Sequence, residues 1–424
     1  MTAATEPPPR IATLDIVRGV AVMGILAMNI VAFAMIPAAY MNPRAYGSET
    51  VWDLAAWAFN FVFIDGKMRG LFSFLFGASL LLVIEKAEAK GESPARVHFS
   101  RMLWLLAFGL LHFYFIWYGD ILTGYALVGL LAWFFRRKEP RKLLFWGVLF
   151  VLLEFALMSG FAASAHALTA AVAGPNPSPA AVESLRGMSQ DIAVPAPAQL
   201  DEQMRMFLGP WWGVAYNQLT EHTFMPLFML FVFGWETLGY MLLGMAGLRS
   251  GFLTGAWDDA RYRKVALTGF AIALPVYAAL AWLLHRDGFT VPAIFTWSFA
   301  GTVLVRPVAV VAIAALIILL TRHGGRLTRR IAAAGRAAFT NYLGTSILMT
   351  ALFYGWGAGL FGRLSRIELW LVVLAMWALM LLWSKPWLRR FHYGPFEWLW
   401  RTLARWQWQP LRKGQSPFRA AAPE

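Results

Sequence analysis

The chain has 424 residues, 59% of them hydrophobic and only 14% charged, with a mean hydropathy of +0.56. That is more apolar surface than a soluble core absorbs, so the sequence describes an integral membrane protein. Cysteine is absent, which excludes disulfides, thiolate metal sites and a cysteine nucleophile. The formal charge of +14 raises nucleic acid as a partner, and the distribution of that charge decides against it.

Hydropathy places ten apolar segments near 12–36, 70–86, 102–117, 120–135, 143–166, 223–247, 265–284, 292–319, 337–359 and 367–384. The expected fold is all-α, a polytopic transmembrane bundle of about ten spans (range about 9–12) with both termini cytoplasmic. With the N-terminus inside, segments 1–11, 85–101, 136–142, 248–264, 320–336 and 385–424 carry 27 of the 37 Lys and Arg. That bias follows the positive-inside rule and accounts for the basic charge without nucleic acid. Residues 1–384 form the expected membrane domain and 385–424 a cytoplasmic amphipathic tail.

In chain order, the first apolar run, "LDIVRGVAVMGILAMNI" (14–30), opens on Asp15 and Arg18 and closes near Asn29. It is too long for a signal peptide and has two charges in its first turns, so it reads as a retained first helix. Asp15 and Arg18 stand at i and i+3 and can neutralise one another. Val22 and Asn29 return to the same face, Asn29 ~21 Å of helical rise above Asp15. A structural ion pair near the interface is the plain reading; a seat for a phosphate or carboxylate is the functional one.

Within 37–69 lies "VWDLAAWAFNFVFI", an aromatic helix. A separate span here would invert the parity of every later loop, so it is expected to lie at the outer interface or to re-enter. Further on, "LAFGLLHFYFIWYGDILTGYALVGL" places His112 before a tight turn holding Asp120. The pair suits either a packing hydrogen bond or an imidazole oriented as a general base. Glu154, Glu236 and Arg306 interrupt apolar runs, and Pro307 makes Arg306 a point where the helix can bend. Residues 167–222 form the longest outer region. Its first half is rich in Pro, Ala and Ser, and its aromatic second half is suited to capping the bundle or lining its mouth.

"GRAAFTNYL" contributes Arg336, Asn341 and Tyr342, and the tail "FHYGPFEWLWRTLARWQWQP" reads as a Pro-started amphipathic helix with Glu397 and Arg401 at i, i+4. No segment has the spacing of a metal site, a phosphate loop or a Ser-His-Asp hydrolase.

Taken together, "LDIVRGVAVMGILAMN", "KMRGLFSFLFGASL", "RMLWLLAFGLLHFYFIWYGDILTGYALVGL", "GRAAFTNYLGTSIL" and "YGPFEWLWR" resemble the YeiB-like family of bacterial membrane proteins. That family in turn resembles a superfamily of transmembrane acyltransferases that includes heparan-alpha-glucosaminide N-acetyltransferase. The resemblance implies a multi-pass protein of the bacterial inner membrane. It implies acyl-CoA, acetyl-CoA first among the candidates, as donor, and a sugar or other small hydroxyl or amine as acceptor at the extracytoplasmic side. Arg18 and Asp15 then belong to a shared first-helix motif. Asn29 stands where related sugar acetyltransferases place a catalytic histidine, so an acyl-histidine intermediate does not carry over.

The resulting expectation is direct transfer. Asp15, Arg18, Arg336, Glu397 and Arg401 hold the donor, His112 deprotonates the acceptor, Asp120 orients it, and Asn341 or Tyr342 stabilises the oxyanion. Membrane lipids and a small-molecule or glycan acceptor are the expected partners, with a homo-oligomer compatible and no metal. The competing class is a transporter of a small organic anion; against it, the sequence shows no repeated half and no matching pair of Gly- or Pro-broken helices. A scaffold without catalysis is the third class.

Overall fold

The computed structural model describes residues 11–414; the first ten residues of the expected cytoplasmic N-terminus and the last ten of the tail lie outside the described residues. The described chain is helical throughout, with one isolated bridge, Phe391 to Arg412. Helix α1 spans Ala12–Ala34 and a short α2 Pro37–Met41. Helix α3, Val51–Phe59, starts on a capping box between Thr50 and Asp53 and passes through a π-helical turn, Asn60–Ile64, to α4, Lys67–Ala89. Next come α5 (Pro94–Phe115), α6 (Leu122–Ala132) and the 33-residue α7 (Pro140–Val172). Three short helices follow, α8 (Pro179–Ser189), α9 (Pro197–Phe207) and α10 (Trp211–Thr220). Helices α11 (Met225–Arg249) and α12 (Asp259–Arg286) are long; α13 (Val291–Ala293), a π-helical run Ile294–Ala300, α14 (Gly301–Val303) and α15 (Arg306–Thr321) follow. The chain closes with α16 (Arg326–Arg336), α17 (Ala338–Phe353), α18 (Arg366–Arg390) and α19 (Pro395–Arg405).

All ten apolar segments fall on helices. Six units are long and apolar enough to cross a bilayer on their own: α1, the α3–α4 unit, α7, α11, α12 and α18; the α13–α15 unit makes a seventh if counted as one span. Apolar α6, prolonged to Phe135 by a 3₁₀ turn, and α17, at 16 residues, are shorter. Inside the bundle α1 is sheathed on all sides, whereas α7, α12 and α18 turn most of their apolar surface outward, as helices facing lipid must. Helices α4 and α11 approach at backbone distance: a Cβ on Gly244 would fall within 1.7 Å of the Phe74 carbonyl oxygen, a contact only glycine permits.

The aromatic helix at 51–64 runs on toward α4 and counts with it as one 39-residue apolar unit. Two of the apolar units are interrupted. The first is interrupted at Asp65 and Gly66, where Gly66 takes φ +67°; the second is bent by 53° between Val303 and Arg306. Both breaks lie beyond a π-helical run, which leaves the hydropathy profile continuous; the bend at Arg306 is the one that Pro307 announces in the sequence.

In the region 167–222, α8 buries no side chain, while Phe207 of α9 is wedged between Tyr354 and Phe361, and Trp211 of α10 donates to the Phe115 carbonyl (2.7 Å). The aromatic second half therefore caps the bundle, with α10 lining a small cleft against residues 113–118.

Candidate functional site

Sequence reasoning pointed to His112 and Asp120, and the fold joins them. His112 lies in the last turn of α5, and the 116–121 turn brings Asp120 back beside it: Nδ1–H donates to Asp120 Oδ1 at 2.9 Å, with both side chains 1% exposed. Asp120 Oδ2 accepts the Thr123 amide at 2.7 Å, so both carboxylate oxygens are occupied and the ring orientation is fixed. A proton on Nδ1 leaves Nε2 as the bare nitrogen, and Nε2 is buried with no hydrogen-bond partner among the described residues. The return of the chain is possible because residue 109 is glycine: a Cβ there would lie 2.4 Å from the Thr123 nitrogen.

Tyr342 of α17 packs on the His112 ring (centroids 5.2 Å apart), and its hydroxyl accepts the Ile121 amide at 3.2 Å, which turns the phenolic hydrogen elsewhere. Tyr342 also borders a small internal cavity of about 10 Å³, room for about one water, between α1, α17 and Trp117. Val22, Asn29, Thr345 and Ser346 line it. The buried Thr345 hydroxyl has no partner among the described residues. Asn29, Tyr342 and Thr345 thus line one mostly apolar cavity, and Tyr342 alone links it to the dyad, its ring packing on His112; Thr345 is an addition that sequence reasoning missed, although it lies one turn after Tyr342 on the same helix.

At the basic end, Arg18 donates to Asp15 Oδ1 (3.2 Å) and to Ser79 Oγ (2.6 Å). Arg18 is four residues before Val22, so the cavity wall begins only ~6 Å along α1 from the arginine. Helix α16 packs against the same turn, Gly335 meeting the Asp15 carbonyl, and places Arg336 there. The two remaining donor-site candidates sit on α19. Arg401 lies over the Tyr393 ring at 4.5 Å. Glu397 caps α17, accepting the amides of Phe339 (2.7 Å) and Thr340 (3.1 Å) and the Thr340 hydroxyl (2.5 Å). Burial raises the Glu397 carboxyl above its ordinary value, and these hydrogen bonds only partly offset it.

Asn341 is not brought to the dyad. Its amide donates to the Ala334 carbonyl (3.0 Å) and accepts Trp383 Nε1 (2.9 Å), tying α16, α17 and α18 together. Glu236, Glu154 and Arg306 belong to a separate buried cluster. Glu236 binds Arg306 (2.5 Å) and Arg69 (2.8 Å), and its own amide donates to Glu154 Oε2 (3.3 Å). Arg69 was not singled out in the sequence, since its partner lies 167 positions away. Among the described residues there is no cluster of side chains able to hold a metal ion.

Residues 247–407 match the family model described as "Protein of unknown function (DUF418)". Over 95% of its length the chain is 31% identical to the protein YxaH of Bacillus subtilis (strain 168), covering 96% of it. It is 32% identical to the protein YeiB of Escherichia coli (strain K12), over 92% of this chain and 95% of that one. A 39.9 kDa protein encoded in the amylase 3′ region of Bacillus acidopullulyticus is 28% identical over 93% of both. No solved structure matches the chain.

Proposed function

Starting from the chain's membership of the YeiB-like family of membrane proteins, we propose that it is an acyl-CoA-dependent acyltransferase acting within the membrane. The observation that carries this reading is the buried His112–Asp120 dyad with its unpartnered Nε2. In the proposed reaction His112 Nε2 takes the proton from an acceptor hydroxyl or amine as its oxygen or nitrogen attacks the thioester carbonyl. Asp120 holds the resulting imidazolium in place. The Tyr342 hydroxyl, aided by Thr345 and Asn29, donates to the oxyanion. As the tetrahedral adduct collapses the carbon–sulfur bond breaks, and His112 returns its proton to the departing thiolate. Asn341 and Glu397 serve packing and capping, and Arg18 and Arg336 are the groups offered to the donor's phosphates. The cavity holds about one water, so α1 and α17 must part for substrates to enter.

Purified protein in nanodiscs, given acetyl-CoA and a panel of amino sugars and small alcohols, should release free thiol; the chain has no cysteine of its own to obscure the readout. His112→Ala should retain acetyl-CoA binding and lose thiol release. Absence of both binding and turnover with any CoA thioester, in folded protein, overturns the reading. Passage of a small organic anion is a second reading, favoured by the bent α13–α15 unit and the interruption at Gly66 before α4.

A further inference from the structure

The two interruptions meet. A Cβ on Gly66, in the first break, would lie 2.5 Å from Nε of Arg306, which opens the helix after the second. Broken helices at membrane depth expose backbone groups that must be satisfied locally. Lys67 does this at the first break, its ammonium donating to the carbonyls of Phe61 (2.8 Å) and Asp65 (3.1 Å) while lying 3.3 Å above the Tyr277 ring. The two helices that start here, α4 and α15, direct their positive ends into the same space, as the half-helices of anion sites do.

Between them sits Glu236, with one oxygen on Arg69 and the other on Arg306 and the Tyr240 hydroxyl (3.3 Å). The groups facing it are Arg69 from α4, Tyr125 from α6 through the Arg69 carbonyl, Glu154 from α7, Tyr240 from α11, Tyr277 from α12, and Thr302 and Arg306 from the second broken unit. Behind them Tyr40 donates to Asp65 at 3.0 Å. With three cations, Lys67, Arg69 and Arg306, and three carboxylates, Asp65, Glu154 and Glu236, the cluster is neutral when fully ionised. Two buried donors in it, Arg306 Nε and the Tyr277 hydroxyl, lie beside one another and have no other partner among the described residues.

A single carboxylate thus divides its oxygens between two guanidinium forks, each of which has the geometry to grip a carboxylate with two bonds. An anion cannot join a neutral buried cluster alone, because the added charge would be uncompensated. It can enter if Glu236 is protonated at the same time and releases both arginines. We propose that this cluster is a binding and passage site for a small monocarboxylate, carried together with one proton that is taken up by Glu236 on loading and lost on release. The proposal rests on the second reading above and uses none of the acyl-transfer residues.

The test uses full-length protein in proteoliposomes with radiolabelled pyruvate and lactate as probes. An inward proton gradient should drive uptake, acidify the lumen and be unaffected by a valinomycin-imposed potential, because one proton and one anion move together. Glu236→Gln, fixed in the neutral form, should lose gradient-driven accumulation and keep exchange of label for unlabelled anion. Gly66→Ala should displace Arg306 and lose both. Thiol release from acetyl-CoA is read in the same preparations, so wild type that transports without releasing thiol leaves this proposal standing when the acyl-transfer reading fails, and the reverse. The proposal is overturned if correctly inserted wild type shows no gradient-driven uptake of either probe, if uptake follows the membrane potential, or if Glu236→Gln accumulates as wild type does. Should Glu236→Gln fail to fold, the wild-type gradient and potential measurements decide.

Discussion

At the residue scale, the dyad is a chemical assembly with a structural dependence. Removing the imidazole in His112→Ala should slow acyl transfer by about 10² to 10⁴, the usual worth of a general base, and Tyr342→Phe by about 10² to 10³ if its hydroxyl meets the oxyanion. Thiol release against acetyl-CoA concentration checks both, and a change in KM alone would assign Tyr342 to binding. Glu397 gives a prediction of a different kind. Its carboxyl is raised in the folded protein, so the fold prefers the proton; the associated stability is whole below the ordinary value of 4.5 and diminishes as pH rises through the raised one. Glu397→Gln lacks this titration. The difference in Tm between the two proteins should therefore change across that window in favour of the variant as pH rises; a constant difference would show that Glu397 titrates normally.

At the scale of elements, the closeness of α5 and α6 is what makes the dyad. Gly109→Leu should force them apart, cost about 1–3 kcal/mol as overpacking does, and lower turnover by separating Asp120 from His112; the loss of Tm and of thiol release should appear together. The helices themselves were legible because each is a long apolar run, and the His112–Asp120 pair because a tight turn is visible between them. The bend at Arg306 was legible from Pro307, whereas the interruption at Asp65 and Gly66 was not, since the π-helical turn before it keeps its side chains apolar. Neither was the part played by Asn341. Adjacent positions on a helix point ~100° apart, so Asn341 and Tyr342 cannot both face the dyad, and sequence alone offers no reason to prefer one. The partnership of Arg69, Glu236 and Arg306 joins three distant parts of the chain, which only packing reveals.

At the scale of the molecule, the charge asymmetry of the sequence gives the orientation to expect, and the absence of cysteine makes that expectation measurable. Single cysteines at two exposed positions suffice. Gln190→Cys, just beyond α8, should react in intact cells with a membrane-impermeant maleimide, and Lys138→Cys, in the basic turn before α7, should react only after permeabilisation. The opposite pattern would invert the assigned sides and with them the compartment of the acceptor.

The cap supplied by Glu397 also has a meaning in time. Translation delivers α17 to the membrane more than forty residues before the carboxylate that completes its first turn, so Tyr342 belongs to an unfinished helix until the tail has been made and has folded back. The pocket around His112 is therefore assembled last, after every apolar helix has left the ribosome, and a chain cut short between α18 and α19 would have all its long helices and yet lack a seated tyrosine.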